Sequence, residues 1–251
     1  MKKNFNRTLL ASLLLAGVGM GVSLGAQAHQ TWLEQDANGA KFYFGEFGDN
    51  LREASPGLLD KFVKPVAHKI SAKGAEPLEI KKTANGFALS ATAAPGESLI
   101  AEESAYPSWE GKAGDKTTRN IYVPAARLAT TLTKQDPKLT LDLVPTGTVD
   151  KGNVELQAFY KGQPLPKAKV AVVTASGWAQ EHHTDAAGKF SVNLPWKGTY
   201  VLELSHNDAA GVERAGEKFD RGSYVTSLTL QLNDGLAALP APPAAEPSKA
   251  K

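Results

Sequence analysis

Apolar residues in this chain recur at every second position, in short runs cut off by Gly, Asn, Asp and Pro. That period places alternate side chains on one face of an extended strand, whereas a helix needs apolar residues three and four positions apart. Helical spacing is scarce, so the pattern predicts an all-β protein. "KFYFGEF" sets Phe42 and Phe44 on one face and Tyr43 on the other, and "LEIKKTANGFALSA" reads as a hairpin turning at Asn85 and Gly86. "LATTLTK" and "LTLDLVP" are two further strands, broken between them at Asp136 and Pro137. "DNLREASPGLLDKF" is the one candidate for a short helix or ordered loop before residue 150.

The second half repeats the pattern more regularly. "NVELQAFYKGQPLPKAKVAVVTA" is strand, polar loop and strand, and "HHTDAAGKFSVNLP" turns through Asp185 to Gly188 into Phe190, Val192 and Leu194. "GTYVLELSH" carries Tyr200, Leu202 and Leu204 on one face, and "SYVTSLTLQL" closes the set. Strands at this spacing predict two β-rich domains, the second an immunoglobulin-like or prealbumin-like β-sandwich over residues 153–233. Residues 29–145 form the expected N-terminal β-rich domain, with 146–152 as the linker. Beyond Asn233, "DGLAALPAPPAAEPSKAK" has no periodic apolar face, and residues 234–251 are expected to be a disordered Ala- and Pro-rich tail.

Residues 1–28 read as a signal peptide. Lys2, Lys3 and Arg7 precede an apolar run from Leu9 to Leu24, and Ala26, Gln27 and Ala28 supply the small residues that a signal peptidase reads. Export to the periplasm through the Sec pathway, with cleavage after Ala28, is the expectation. Loss of those three cations brings the net charge close to zero, which leaves no electrostatic footprint for nucleic acid. The chain has no cysteine. A disulfide-linked partner and thiolate metal ligands are therefore excluded, leaving imidazole, carboxylate, amine and water as donors.

The mature start "HQTWLE", the loop "KGQPLPKAKVAVVTA", the run "TDAAGKFSVNLPWKGTYVLELSH" and the late "FDRGSYVTSLTL" resemble a periplasmic family of unknown function. That family includes proteins described as periplasmic components of cobalt and nickel uptake. The second half is also similar to carboxypeptidase-regulatory-like and prealbumin-like modules. The resemblance implies an exported two-domain β protein that handles Ni²⁺ or Co²⁺ beside a membrane metal transporter, and it supplies no ligand set.

The residues themselves point to a metal through His29, which cleavage would make the first residue. An N-terminal histidine offers its α-amine and imidazole to one ion, and such nitrogen donors suit Ni²⁺, Cu²⁺ and Zn²⁺. Thr31, in the third position, excludes the square-planar amino-terminal site that a histidine there would make. Completion must come from elsewhere, and the remaining histidines are His68, His182, His183 and His206. If "WAQEHH", "KFSVNL" and "TYVLELSH" form an antiparallel meander, His183 and His206 meet at one sheet end, so the candidate metal ligands are His29, His183, His206 and His68.

Enzymatic motifs are missing: there is no G-x-S-x-G, no H-E-x-x-H and no phosphate-binding glycine loop in the mature chain. A binding protein rather than an enzyme is expected. One alternative is a copper protein with a histidine-first site, and another is a structural or adhesive envelope module without metal. "AYPSWEG" offers Tyr106 and Trp109 as a candidate aromatic lip for a sugar.

Overall fold

The computed structural model describes residues 29–248. The expected leader with its cleavage site, and residues 249–251 of the expected tail, lie outside the described residues. The first half runs through β1 (Gln30–Asp36), β2 (Gly39–Glu46), β3 (Leu51–Arg52), a 3₁₀ turn at Leu58–Lys61, β4 (Pro65–Ser71), β5 (Gly74–Leu78), β6 (Ile80–Thr83) and β7 (Gly86–Leu89). It ends with β8 (Ser98–Glu103), β9 (Trp109–Ala113) and the long β10 (Lys116–Ala129). The second half adds β11 (Leu141–Asp150), β12 (Asn153–Tyr160), β13 (Gln163–Pro164), β14 (Lys169–Thr174), β15 (Ala179–His183) and β16 (Lys189–Asn193). It closes with β17 (Gly198–Asp208), β18 (Val212–Arg214), β19 (Glu217–Phe219) and β20 (Arg221–Leu232). The protein is all-β and multi-sheet, as the two-residue period predicts. The helix candidate after residue 48 is the short β3 and the 3₁₀ turn. The β6–β7 hairpin forms with Ala84 and Asn85 as its loop, one residue before the expected turn.

One sheet organises the molecule. Its order is β15-β14-β17-β20-β10-β8-β4-β5, with β9 attached to β10. The join between the halves is parallel, Asn120–Ala129 aligned with Arg221–Leu230. On one face of this central sheet, β11, β12 and β16 complete a sandwich whose core includes Leu143, Leu156, Val172, Leu202 and Leu228. A second core, with Leu33, Phe42, Phe44, Phe87, Leu99 and Leu128, lies between β1, β2 and β7 and the β8–β10 part of the central sheet.

The expected boundary between two domains is corrected by this topology. Residues 146–150 are the end of β11, and 151–152 form the turn into β12. Pro145 and Gly147 mark a register shift inside β11, between Pro145 and Val149, rather than a linker. Proline and glycine at a bulge and at a domain boundary are indistinguishable in sequence. The expected meander is corrected too. β15 pairs with β14 and β17 also pairs with β14, whereas β16 crosses to β12 in the other sheet.

β1 is buried on both faces. Thr31 Oγ1 donates to Ala125 O at 2.8 Å and Ser227 Oγ donates to Thr31 O at 2.7 Å, which ties the strand to β10 and β20. Trp32, on the opposite face, packs with Tyr43, Phe47, Val173 and Val201.

The tail expected to be disordered is also corrected over its described part. Residues 234–248 run along the protein as an extended strap, bridging Trp196 to Leu236 and Leu51 to Ala245. Asn50 Nδ2 donates to Pro242 O at 3.0 Å, and the Ser248 N–H donates to Glu53 Oε2 at 3.0 Å. A segment without an apolar face can still dock through backbone groups, which composition does not register.

Candidate functional site

The register of β1 on β2 sets Gln30 opposite Gly45, and the next residue outward, His29, falls beside Glu46. Cross-strand neighbours share a face, so imidazole and carboxylate meet there. The chain then turns through Phe47 to Asn50 and returns as β3, pairing Gly45 with Arg52 and Glu46 with Leu51. Asn50 takes a left-handed conformation (φ 52°), which asparagine tolerates better than most residues. Gly45 permits the close return: a Cβ there would sit 2.3 Å from Leu51 O. The Glu53 N–H then donates to Phe44 O at 2.8 Å, which brings the Glu53 side chain under His29.

The two ring nitrogens of His29 have different partners. Nε2 lies 2.5 Å from Oε1 of the fully buried Glu53, and Nδ1 lies 3.5 Å from Glu46 Oε1. A carboxylate only accepts, so Nε2 carries the proton, and in the neutral ring Nδ1 presents a lone pair toward Glu46. Two acceptors facing each other at that distance call for a proton or a cation between them. The backbone is held as well, because Tyr122 Oη donates to His29 O at 2.7 Å. Ser248 Oγ stands 3.4 Å from Nε2, and the Glu53 carboxylate thus links the start and the end of the described chain.

The surroundings are acidic. Burial raises the Glu46 carboxyl above its usual range, and a hydrogen bond with Asp49 adds to the rise. Burial also pushes Glu203 up to about 8, helped by the charge of Glu46 and opposed by the amide of Gln30, which donates to Glu203. The nearby Arg52 is committed to Glu34 at 2.8 Å and lies over the Tyr43 ring at 4.8 Å. The His29 imidazole is thus the group that Glu46 and Glu53 share.

The other candidate ligands do not join it. His68 sits on β4, three strands from β20 in the central sheet. His183 is exposed on β15 and lies 3.7 Å from Glu181. His206 is on β17, with β14 between it and β15, and its ring packs on Tyr160 at 4.3 Å. His182 packs on Phe190, and burial lowers its pKa. The expected convergence of His29 with His68, His183 and His206 is therefore corrected: the pairing of His183 with His206 required β16 to stay beside β15, and neither these two nor His68 groups with His29. Among the described residues, no group of three or more His, Asp or Glu side chains is arranged to hold a metal ion.

Comparison with known families bears on the same region. A profile described as "Domain of unknown function (DUF4198)" matches residues 26–208, which span His29, Glu46, Glu53 and Glu203. The chain belongs to the DUF4198 family. The DUF4198 match begins just before His29 and ends with the last residue of β17, so it takes in strands from both halves of the central sheet and stops short of β20 and the C-terminal strap. No curated protein and no solved structure matches the chain.

Sequence reasoning missed Glu46, Glu53 and Glu203. Glu46 carried a signal, because it continues the face of Phe42 and Phe44, where a solvated charge would break the alternation. Glu203 likewise alternates with Leu202 and Leu204 on a strand buried on both faces. Nothing local marks Glu53, whose position depends on the β2–β3 return.

Proposed function

We propose that the protein is an exported, periplasmic metal-binding protein that captures Ni²⁺ or Co²⁺ at its mature N-terminus for delivery to a membrane uptake system, and that it is not an enzyme. The observation that carries this reading is the division of labour on His29. Nε2 is bonded to a buried carboxylate, and Nδ1, the nitrogen able to chelate together with an α-amine, faces Glu46 at 3.5 Å. Metal–ligand bonds of about 2.1 Å place two ligating atoms roughly 3.0 to 4.2 Å apart across common angles. The Nδ1 to Glu46 separation falls in that range. Glu53 has the position of the carboxylate that orients a metal-bound histidine through its other nitrogen.

The third donor in this reading, the α-amine, exists only after cleavage behind Ala28. Carboxylate oxygen beside two nitrogens suits a divalent ion of the cobalt, nickel and zinc group. A copper site built on two imidazoles has less support, since no second histidine approaches His29. The cobalt and nickel assignment rests on the family resemblance, and the similarity of the C-terminal half to carboxypeptidase-regulatory-like modules gives that half a scaffolding role.

The test is calorimetric titration of Ni²⁺, Co²⁺ and Cu²⁺ into chelator-stripped protein beginning at His29. The same protein with one extra N-terminal alanine, and a Glu46→Gln variant, serve as comparisons. Binding that is lost on extension and weakened roughly 10- to 100-fold by Glu46→Gln is the expected result. Equal affinity in all three proteins, or no binding in any, would sink the reading.

A further inference from the structure

A second site lies on the same face of the central sheet as β1, beyond Tyr122 along β10. It is a cleft of about 520 Å³ lined by Trp109, Thr118, Asn120, Asn207, Asp208 and Arg221, among others. The register explains how these residues gather. Trp109 pairs with Asn120 across β9 and β10, and Asn120 aligns with Arg221 on the parallel β20. Asn207 pairs with Ser223, bringing the end of β17 alongside.

Two features distinguish this cleft from an ordinary surface hollow. The first is Asn120, which is only 7% exposed. Its Nδ2 donates to Trp109 O at 3.4 Å and Thr118 O at 3.3 Å. Both neighbours are acceptors, so the amide cannot be turned around, and Oδ1 is left buried without a partner. A buried acceptor without a donor is costly unless something arrives to supply one. The second is Trp109, which is 45% exposed although it is a large apolar side chain. An exposed indole and an unpartnered amide oxygen among the residues lining one cleft suit a ring that carries donors.

Charge narrows the class of ligand. Asp208, the carboxylate in the cleft, is already occupied: it accepts from Tyr160 Oη at 2.7 Å, Lys161 Nζ at 3.1 Å and the Ala210 N–H at 2.9 Å. Arg221 and Lys112 both line the cleft and form no ion pair among the described residues, and Arg221 stands beside Asn120. Its guanidinium is left to an anionic group on the ligand.

We propose that this cleft binds an acidic saccharide, with a sugar ring stacked on Trp109, a ring hydroxyl donating to Asn120 Oδ1, and the sugar carboxylate paired with Arg221. The site is independent of His29 and of any metal. Hydroxyl and amide groups on its walls, from Thr118, Asn207 and Ser223, match alternating donors and acceptors on a sugar. The walls hold no second aromatic ring to sandwich a nucleobase.

The experiment is titration of trigalacturonate, with maltotriose as the neutral counterpart and AMP as the nucleotide control, into the mature protein in the presence of a chelator. Binding is read by calorimetry and by tryptophan fluorescence. Trigalacturonate should bind and maltotriose should bind at least about tenfold more weakly. Trp109→Ala should abolish binding, and Asn120→Ala should weaken it about tenfold. Arg221→Gln should bring trigalacturonate down to the level of maltotriose. Trp109 and Arg221 are exposed, so those two variants test the site even if Asn120→Ala fails to fold. Equal binding of the two saccharides, no effect of Arg221→Gln, AMP binding in place of saccharide, or no binding at all would each overturn the proposal.

Discussion

Single carboxylates set the chemistry of the His29 site. Glu53 is fully buried and accepts the hydrogen bond from His29 Nε2–H, so Glu53→Gln keeps the shape of the pair but removes the charge that orients the ring. Metal affinity of the mature protein should fall roughly 10- to 100-fold in this variant, as read by chelator competition. Retained affinity would show that the ring needs no such partner. Glu203 makes a different prediction. Its folded carboxyl titrates at about 8 against an ordinary value of 4.5, so between those limits the folded state holds a proton that the unfolded chain has released. Stability must then fall as pH rises through that window and level off above it. Urea unfolding from pH 5 to pH 9 should reveal the slope, and Glu203→Gln should flatten it. A slope unchanged in the variant would remove Glu203 from the account. The sequence marks Glu46 only as a charge in phase with Phe42 and Phe44 and Glu203 only as a charge between two leucines, and it is silent on Glu53, because what buries Glu53 is a return of the chain and not its own surroundings.

At the scale of elements, alternation makes most strands legible, and their partners much less so. Phe42 and Phe44 identify β2, and Tyr200, Leu202 and Leu204 identify β17, because each face declares its own burial. Nothing in "KFSVNL" says that β16 leaves its sequence neighbours for β12, since pairing is decided by competition among edges rather than by any one strand. The C-terminal strap illustrates the same limit, being held by backbone groups and single side chains that composition does not weigh. Its contact with Glu53 leads to a prediction. Truncation after Asn233 removes the Ser248 N–H from Glu53 Oε2 and uncovers the His29 pair. Bound Ni²⁺ should then dissociate faster in stopped-flow chelator competition, with thermal stability lowered, each lost hydrogen bond being worth about 1 kcal/mol and the regained freedom of the strap offsetting part of the sum. An unchanged dissociation rate would mean that the strap covers nothing of consequence.

The whole molecule is governed by the parallel seam between β10 and β20. Each half of the chain owns a core, yet both cores rest on the same sheet. Calorimetric unfolding should therefore give one cooperative transition, with calorimetric and van't Hoff enthalpies in agreement. Residues 29–145 and 146–233 expressed apart should fail to give two folded domains, and two resolved transitions or two stable fragments would contradict this. The seam also has a consequence for how the protein is born. β10 is made early, and the strand that covers its flank is the last one of the fold to emerge. For the whole interval the growing chain carries an open, strongly pairing edge, which a second newborn copy is equally able to fill. Biogenesis, more than equilibrium stability, is where this architecture is most exposed to error, and a partner that shields β10 until the final strand arrives would guard it.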